Sequence, residues 1–240
     1  QNKKLELNLS MTENTNSKFP SEADVVIVGV GGIVGSMIAY WLSELGQKNI
    51  VGLEKSSVIP SDIASTAHAS DFVYNTTHDK LGCWTTAYSR KFYEDNGFFL
   101  KKGGLEICRK GDDARWEELK RKVGSGKAFG TNVRLISAAE AKEKFPLLDE
   151  ESLMGAMWDP DAGLVIPRSQ DVVSFAVEHA KDKGALKTFT DTPAIDFEVE
   201  NDRVTGVHTD KGFIKADKIV ICSGIWGPLM GKKAGVPVPL

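Results

Sequence analysis

Four glycines in one seven-residue run, Gly29, Gly31, Gly32 and Gly35, and an acid nineteen residues later, Glu54, are the residues whose types and spacing point to chemistry. A pyrophosphate can approach bare backbone closely, and it is favoured at a helix N-terminus, where unpaired N–H groups and the helix dipole attract anions. An acid about twenty residues further on suits the ribose hydroxyls of an adenosine and repels a 2′-phosphate. The pattern therefore predicts a dinucleotide site. The run G-V-G-G-I-V-G is one residue longer than the usual G-x-G-x-x-G. Counting from Gly29 puts Val34 at the third glycine, and counting back from Gly35 puts Val30 at the first. A one-residue bulge at the strand end reconciles the two, and which glycine meets phosphate stays open. The plainer alternative is a doubly wound domain whose glycine-rich turn binds nothing. A second turn that exposes backbone, S-G-I-W-G-P from Ser223, places Ser223, Gly224 and Trp226 as further candidates.

These residues need elements to hold them. Val25–Val28 is a β-branched run, as in a strand buried on both faces. Met37, Ile38, Trp41, Leu42 and Leu45 follow at helical spacing, and Gly46 stops the helix. A second strand spans Asn49–Leu53. Loops then carry Lys55, Ser65, Thr66 and His68. A helix is expected over Thr76–Asn96, a strand within Phe98–Arg109, and a helix over Ala114–Val123 capped by Asp112. Ser137 and Glu140 form a capping box for a helix that Pro146 ends. Met154–Trp158 reads as a strand and D-P-D-A-G as a turn. Ser169 is expected to cap a helix running to Gly184, with Val172, Val173, Phe175, Ala176, Val177 and Ala180 inside. The chain closes with three meander strands linked by Asn201-Asp202 and Asp210-Lys211-Gly212, and a further buried strand over Ala216–Ser223. Trp41, Met37, Trp84, Trp158 and Met230 read as core.

The totals bound the class. The chain has 240 residues, 41% of them hydrophobic, and a formal net charge of −3, so there is no nucleic-acid footprint. The run Lys120-Arg121-Lys122 reads as a solvated helix face. Cys83, Cys108 and Cys222 lack metal or C-x-x-C spacing and read as reduced cytosolic or matrix thiols; cytoplasmic location is the expectation. No apolar run is long enough for a membrane span. Residues 1–20 are polar and unpatterned and read as a disordered tail, with Met11 as the natural start. His78, His179 and His208 read as surface or satisfied histidines.

In order and spacing, these pieces resemble the flavin-dependent amine oxidoreductases of the D-amino-acid-oxidase superfamily, closest to its dimethylglycine and sarcosine oxidase/dehydrogenase branch. The resemblance runs from about Asp24 to Leu240. Its carriers are G-V-G-G-I-V-G with Glu54, S-T-A-H-A at 65–69, G-G-L-E at 103–106, L-K-R-K-V-G at 119–124, L-I-S-A-A-E at 135–140, F-P-L-L-D at 145–149, R-V-T-G-V at 203–207 and A-D-K-I-V-I-C-S-G-I-W-G at 216–227. The implied fold is α/β: a Rossmann-like FAD-binding domain with a β-meander, plus the first part of an α+β substrate domain. The implied division is 21–98 and 167–240 for the FAD domain and 99–166 for the substrate portion.

The resemblance implies FAD as cofactor, held by Gly29, Gly31, Gly32, Gly35, Glu54, Lys55, Ser65, Thr66, His68, Ser223, Gly224 and Trp226. In that branch the histidine of S-T-x-H-A bonds covalently to the flavin; here it is His68, followed by Ser70-Asp71 where relatives favour small or glycine-rich residues. A neutral imidazole nitrogen is a competent nucleophile near neutral pH. The other reading of His68 is an ordinary loop histidine beside a flavin bound without a bond. Ser65 and Thr66 are expected to hold its ring. The implied reaction is oxidation of the C–N bond of a small N-methylated amino acid, sarcosine- or dimethylglycine-like, by hydride transfer to flavin. Oxygen or an electron-transfer flavoprotein would reoxidise the cofactor. Substrate-side residues, and a tetrahydrofolate-binding region, are expected beyond Leu240, so the chain reads as the N-terminal part of a longer enzyme. Alternatives are a deaminating amino-acid oxidase, a glycerol-phosphate dehydrogenase, a regulatory flavoprotein-like module without turnover, and a nicotinamide-dependent dehydrogenase.

Overall fold

The computed structural model describes residues 19–239. In chain order the elements are β1 (Glu22–Val28), α1 (Ile33–Glu44), β2 (Ile50–Leu53), a 3₁₀ turn (Ser65–His68), β3 (Phe72–Val73), α2 (Lys80–Asp95), β4 (Phe99–Lys101), β5 (Gly104–Arg109), α3 (Asp113–Ala128), β6 (Arg134–Ile136) and α4 (Ala138–Lys144). They continue with β7 (Leu153–Asp159), β8 (Gly163–Val165), α5 (Ser169–Asp182), β9 (Leu186–Phe189), β10 (Ala194–Glu200), β11 (Arg203–Thr209), β12 (Gly212–Ile221), a 3₁₀ turn (Gly224–Trp226) and α6 (Gly227–Lys233). The main sheet has the order β10-β11-β12-β1-β2-β9. Its β12, β1, β2 and β9 run parallel, and β10–β12 form the antiparallel meander.

The β-branched run of β1 explains why the sheet sits where it does. Alternate side chains point to opposite faces. Val25 and Ile27 pack with Ala39, Val173, Val177 and Ala180 of α1 and α5. Val26 and Val28 pack with Phe197, Val207, Ile214 and Met230 on the other face. Two three-stranded sheets lie apart from this one, β5-β7-β6 and β3-β8-β4. The former has its own core, built from Cys108, Leu119, Val123, Val133 and Met157.

Several elements differ from the sequence expectations. The last two strands are one: β12 pairs antiparallel with β11 from Gly212 to Lys215 and parallel with β1 from Lys215 to Ile221. Phe98–Arg109 is two strands in different sheets, separated at Gly103, whose φ is +77°. Helix α2 starts at Lys80 because Asp79 accepts from the Gly82 N–H at 2.7 Å, and Asn75 and Thr76 are buried in the preceding loop. Helix α3 runs on to Ala128. The capping box of Ser137 and Glu140 is present.

Ser169 does not cap α5. It is the first helical residue, and Asp71 accepts from its N–H and hydroxyl instead. Trp84 is 62% exposed and Trp41 39%, so neither is core; Trp41 lies against Tyr40, Tyr88 and Phe92 on the outer side of α1. Trp158 is half-buried over Gly103, and Met37 and Phe175 are likewise only half-buried, whereas Met230 is core. Lys122 is not solvated like Lys120 and Arg121; it pairs with Glu106 at 2.7 Å. Residues 1–18 of the expected tail lie outside the described residues, but Phe19 packs edge-on against Phe189 at 5.2 Å.

Candidate dinucleotide-binding site

Three turns meet at the carboxyl ends of β1, β2 and β12, the place where an open α/β sheet changes winding direction and where ligands bind such sheets. Just past the end of β1 the Gly29 and Val30 N–H groups both donate to the Leu53 carbonyl, at 2.8 and 3.1 Å. Gly29 has a φ of +92°, and a Cβ there would stand 2.6 Å from the Cys222 carbonyl oxygen. At Gly35 a Cβ would collide with the Gly29 carbonyl. At Gly31 it would meet the Glu54 carboxylate at 2.6 Å and Ser61 Cβ at 2.8 Å. Those three glycines are required by the chain itself.

Gly32 is different. It is the residue before α1, with φ −99° and ψ 167°, a conformation open to any residue. A Cβ there would find only ordinary contacts, Ala64 Cβ and Thr66 Oγ1 at 3.7 Å. Among the described residues the N–H groups of Gly32, Val34 and Gly35 have no acceptor. A helix N-terminus with unpaired donors and a bare glycine is suited to an anion.

Glu54 is buried, with 6% exposure. Its carboxylate accepts from Gly31 N–H at 3.0 Å, Ser56 N–H at 2.9 Å and Ser61 Oγ at 3.2 Å. A carboxylate offers about four acceptor positions, so roughly one is left for a ligand. Lys55 Nζ lies 3.7 Å from the centre of the Trp226 ring, tying the turn after β2 to the turn after β12. The Ser223 hydroxyl is buried with no hydrogen-bond partner among the described residues. Burial pushes the Cys222 thiol up, so it stays protonated near neutral pH.

The loop carrying S-T-A-H is fixed at both ends. Thr66 Oγ1 accepts from the Ile33 N–H at 3.0 Å, so it holds the start of α1 and not the His68 ring, contrary to the sequence expectation. His68 and Ser65 are exposed. His179 and His208 bond to Glu44 and Glu198 at 2.6 and 2.9 Å, and His78 lies 3.3 Å from Glu118, all outside the site. The structure thus brings together Gly29, Gly31, Gly32, Gly35, Glu54, Lys55, Thr66, Ser223 and Trp226. Sequence reasoning missed Ser61 and Ser56, which no spacing rule marks, and Asp71. Among the described residues there is no cluster able to hold a metal ion and no helix long and apolar enough to cross a membrane.

A profile of the FAD dependent oxidoreductase (DAO) family matches residues 24–240. The chain belongs to that family. It is 29% identical over 243 residues to human mitochondrial sarcosine dehydrogenase, covering 96% of this chain and 26% of that protein. It is 29% identical over 238 residues to the regulatory subunit of mouse mitochondrial pyruvate dehydrogenase phosphatase, again covering 96% of this chain and 26% of that protein. The fold matches L-proline dehydrogenase from P. horikoshii with a TM-score of 0.81 and 29% identity, over 92% of this chain and 58% of that one. The chain thus spans about a quarter of the length of the curated relatives it matches. The residues present fit FAD: a bare-backbone cradle at Gly32, an acid beside it, and a buried Ser223 hydroxyl lacking a partner.

Proposed function

We propose that this chain forms the FAD-holding part of an oxidoreductase that oxidises the C–N bond of a small N-methylated amino acid, sarcosine- or dimethylglycine-like. The observation that carries the cofactor half of this reading is Gly32, a glycine that the fold does not need, set at the start of α1 beside the unpaired N–H groups of Val34 and Gly35. The pyrophosphate would lie against the N–H groups of Gly32 and Val34, and Glu54 would take a ribose hydroxyl with its remaining acceptor position. Ser223 would give its hydroxyl to the cofactor, and Lys55 and Trp226 would close the adenosine side. The bound flavin supplies the hydride-accepting chemistry. The chain's part is to hold, orient and shield the cofactor. The substrate class rests on the similarity to sarcosine dehydrogenase. The electron acceptor would be oxygen or an electron-transfer flavoprotein, and the compartment a reducing one, cytoplasm or, as the relatives' names suggest, mitochondrion. In this reading residues 21–98 and 167–240 make the FAD domain and 99–166 the substrate portion.

His68 is proposed as the covalent attachment point: it is exposed on a turn tethered to the start of α1. Acid-precipitated protein should stay yellow, and a tryptic peptide containing His68 should carry the mass of FAD. His68→Ala should bind flavin but release it on precipitation. A yellow pellet from His68→Ala would refute the assignment. For the activity, anaerobic addition of sarcosine or dimethylglycine should bleach the flavin absorption of the natural full-length protein. A flavin that no amine bleaches would favour the second reading, a regulatory module, which the similarity to the phosphatase subunit supports.

A further inference from the structure

The loop bearing His68 ends at Asp71, and Asp71 is held by unusual means. Its φ is +61°, in the left-handed region that glycine adopts most easily and that aspartate and asparagine tolerate better than other side chains. Its Oδ1 accepts from the Ser169 N–H at 2.9 Å and the Ser169 hydroxyl at 2.5 Å, across 98 residues of chain. Its Oδ2 lies 2.5 Å from Arg168 Nε, and its carbonyl accepts from the Val165 N–H at 2.7 Å. Helix α5 has no side-chain cap of its own. Asp71 supplies it, from a loop whose other end is bound to α1 through Thr66. Helices α1 and α5 pack together on the main sheet. The two tethers therefore fix the segment 66–71 to the same helix layer whose α1 begins at the glycine turn.

A glycine would meet the backbone demand at position 71 without strain. The carboxylate must be explained by what it binds. Burial alone would raise its pKa, but the Ser169 hydroxyl and N–H and the Arg168 guanidinium outweigh that and hold it below the ordinary aspartate range.

We infer that Asp71 is the positioning residue of the His68 loop: by capping α5 it sets where His68 stands relative to the cofactor cradle. This rests on the proposed FAD site and its His68 linkage. Asp71→Gly, Asp71→Asn and Asp71→Ala in the natural full-length holoprotein separate the effects. Asp71→Gly keeps the backbone and loses the carboxylate. Asp71→Asn keeps an acceptor and loses the charge toward Arg168. Asp71→Ala adds strain to the loss.

In Asp71→Gly the fraction of flavin surviving acid precipitation should fall by about fivefold or more, since a small misplacement of a reacting group is costly. Amide hydrogen exchange at 65–70 should quicken by about tenfold. Asp71→Asn should recover part of both, and Asp71→Ala should be the worst. Wild-type linkage and wild-type exchange in Asp71→Gly, with only a lower Tm, would overturn the inference and leave Asp71 a helix cap alone. Should the wild type carry flavin with no bond, the His68 assignment fails by itself. Asp71 is then judged by loop exchange and flavin dissociation: both faster in Asp71→Gly supports it, both unchanged overturns it.

Discussion

Glu54 serves its own chain before it meets a ligand. With Gly31, Ser56 and Ser61 all donating to it, Glu54→Ala would leave three buried donors without an acceptor, at about 1–3 kcal/mol each. That variant would confuse turn collapse with loss of a ribose contact. Glu54→Gln is the sharper test, since it keeps the volume and one acceptor oxygen. We expect Tm to fall by a few degrees, and flavin affinity to weaken by about tenfold through loss of charge-assisted hydrogen bonds. A titration showing unchanged flavin affinity in a folded Glu54→Gln would remove Glu54 from the cofactor site. At this scale the sequence was legible where a rule of spacing exists. The glycine run stands in the turn between β1 and α1, and the acid stands at the end of β2 with its carboxylate on the Gly31 N–H. Ser61, Thr66 and Asp71 were not legible as partners, because their bonds join positions 7, 33 and 98 residues apart with no periodic signal.

The elements were read best where they are locally determined. The β-branched run of β1, the capping box of α4 and the meander follow from short-range chemistry. The misreadings are tertiary: Asp71 caps α5 from outside it, and β12 joins two pairing modes in one strand. Lys55 over Trp226 links the turns after β2 and β12, and a partly exposed contact of this kind is worth about 0.5–1 kcal/mol. Lys55→Met should therefore quicken flavin dissociation by about two- to fivefold with Tm nearly unchanged; a wild-type off-rate would show the link is incidental. Asp161 gathers α2, β4 and the loop before β6: Lys101 lies 2.5 Å from it, Asn132 2.8 Å, and Arg90 3.9 Å. The Lys101 ammonium, then Asn132 and Arg90, hold its carboxyl below the ordinary range despite burial. A depressed folded pKa gives stability that is present above the unfolded value, about 3.9, and lost as pH falls through the folded one. Wild type should therefore lose Tm below about pH 4 more steeply than Asp161→Asn, which lacks that contribution already. Parallel acid profiles would refute the role.

Across the whole molecule the main sheet carries the turns proposed to hold the cofactor, and two smaller three-stranded sheets are separate from it. Apolar side chains stay in solvent on several surfaces: Leu147 is 85% exposed, Ile225 69%, Val236 60% and Leu229 50%. Exposed apolar surface on this scale favours association. The 240-residue chain made alone should elute as more than a monomer and bind hydrophobic dye, and a monodisperse, dye-free monomer would contradict this. The turn between β1 and α1, proposed as the cradle for FAD, carries its own control in Gly32. The deciding measurement is flavin bound per mole of the natural full-length protein, for wild type and for Gly32→Ala at equal Tm. Because a Cβ at Gly32 meets nothing in the chain closer than 3.7 Å, Gly32→Ala should melt like wild type and yet hold flavin about tenfold or more weakly. A Gly32→Ala protein that folds and keeps wild-type flavin content would show that this turn is not where FAD is held.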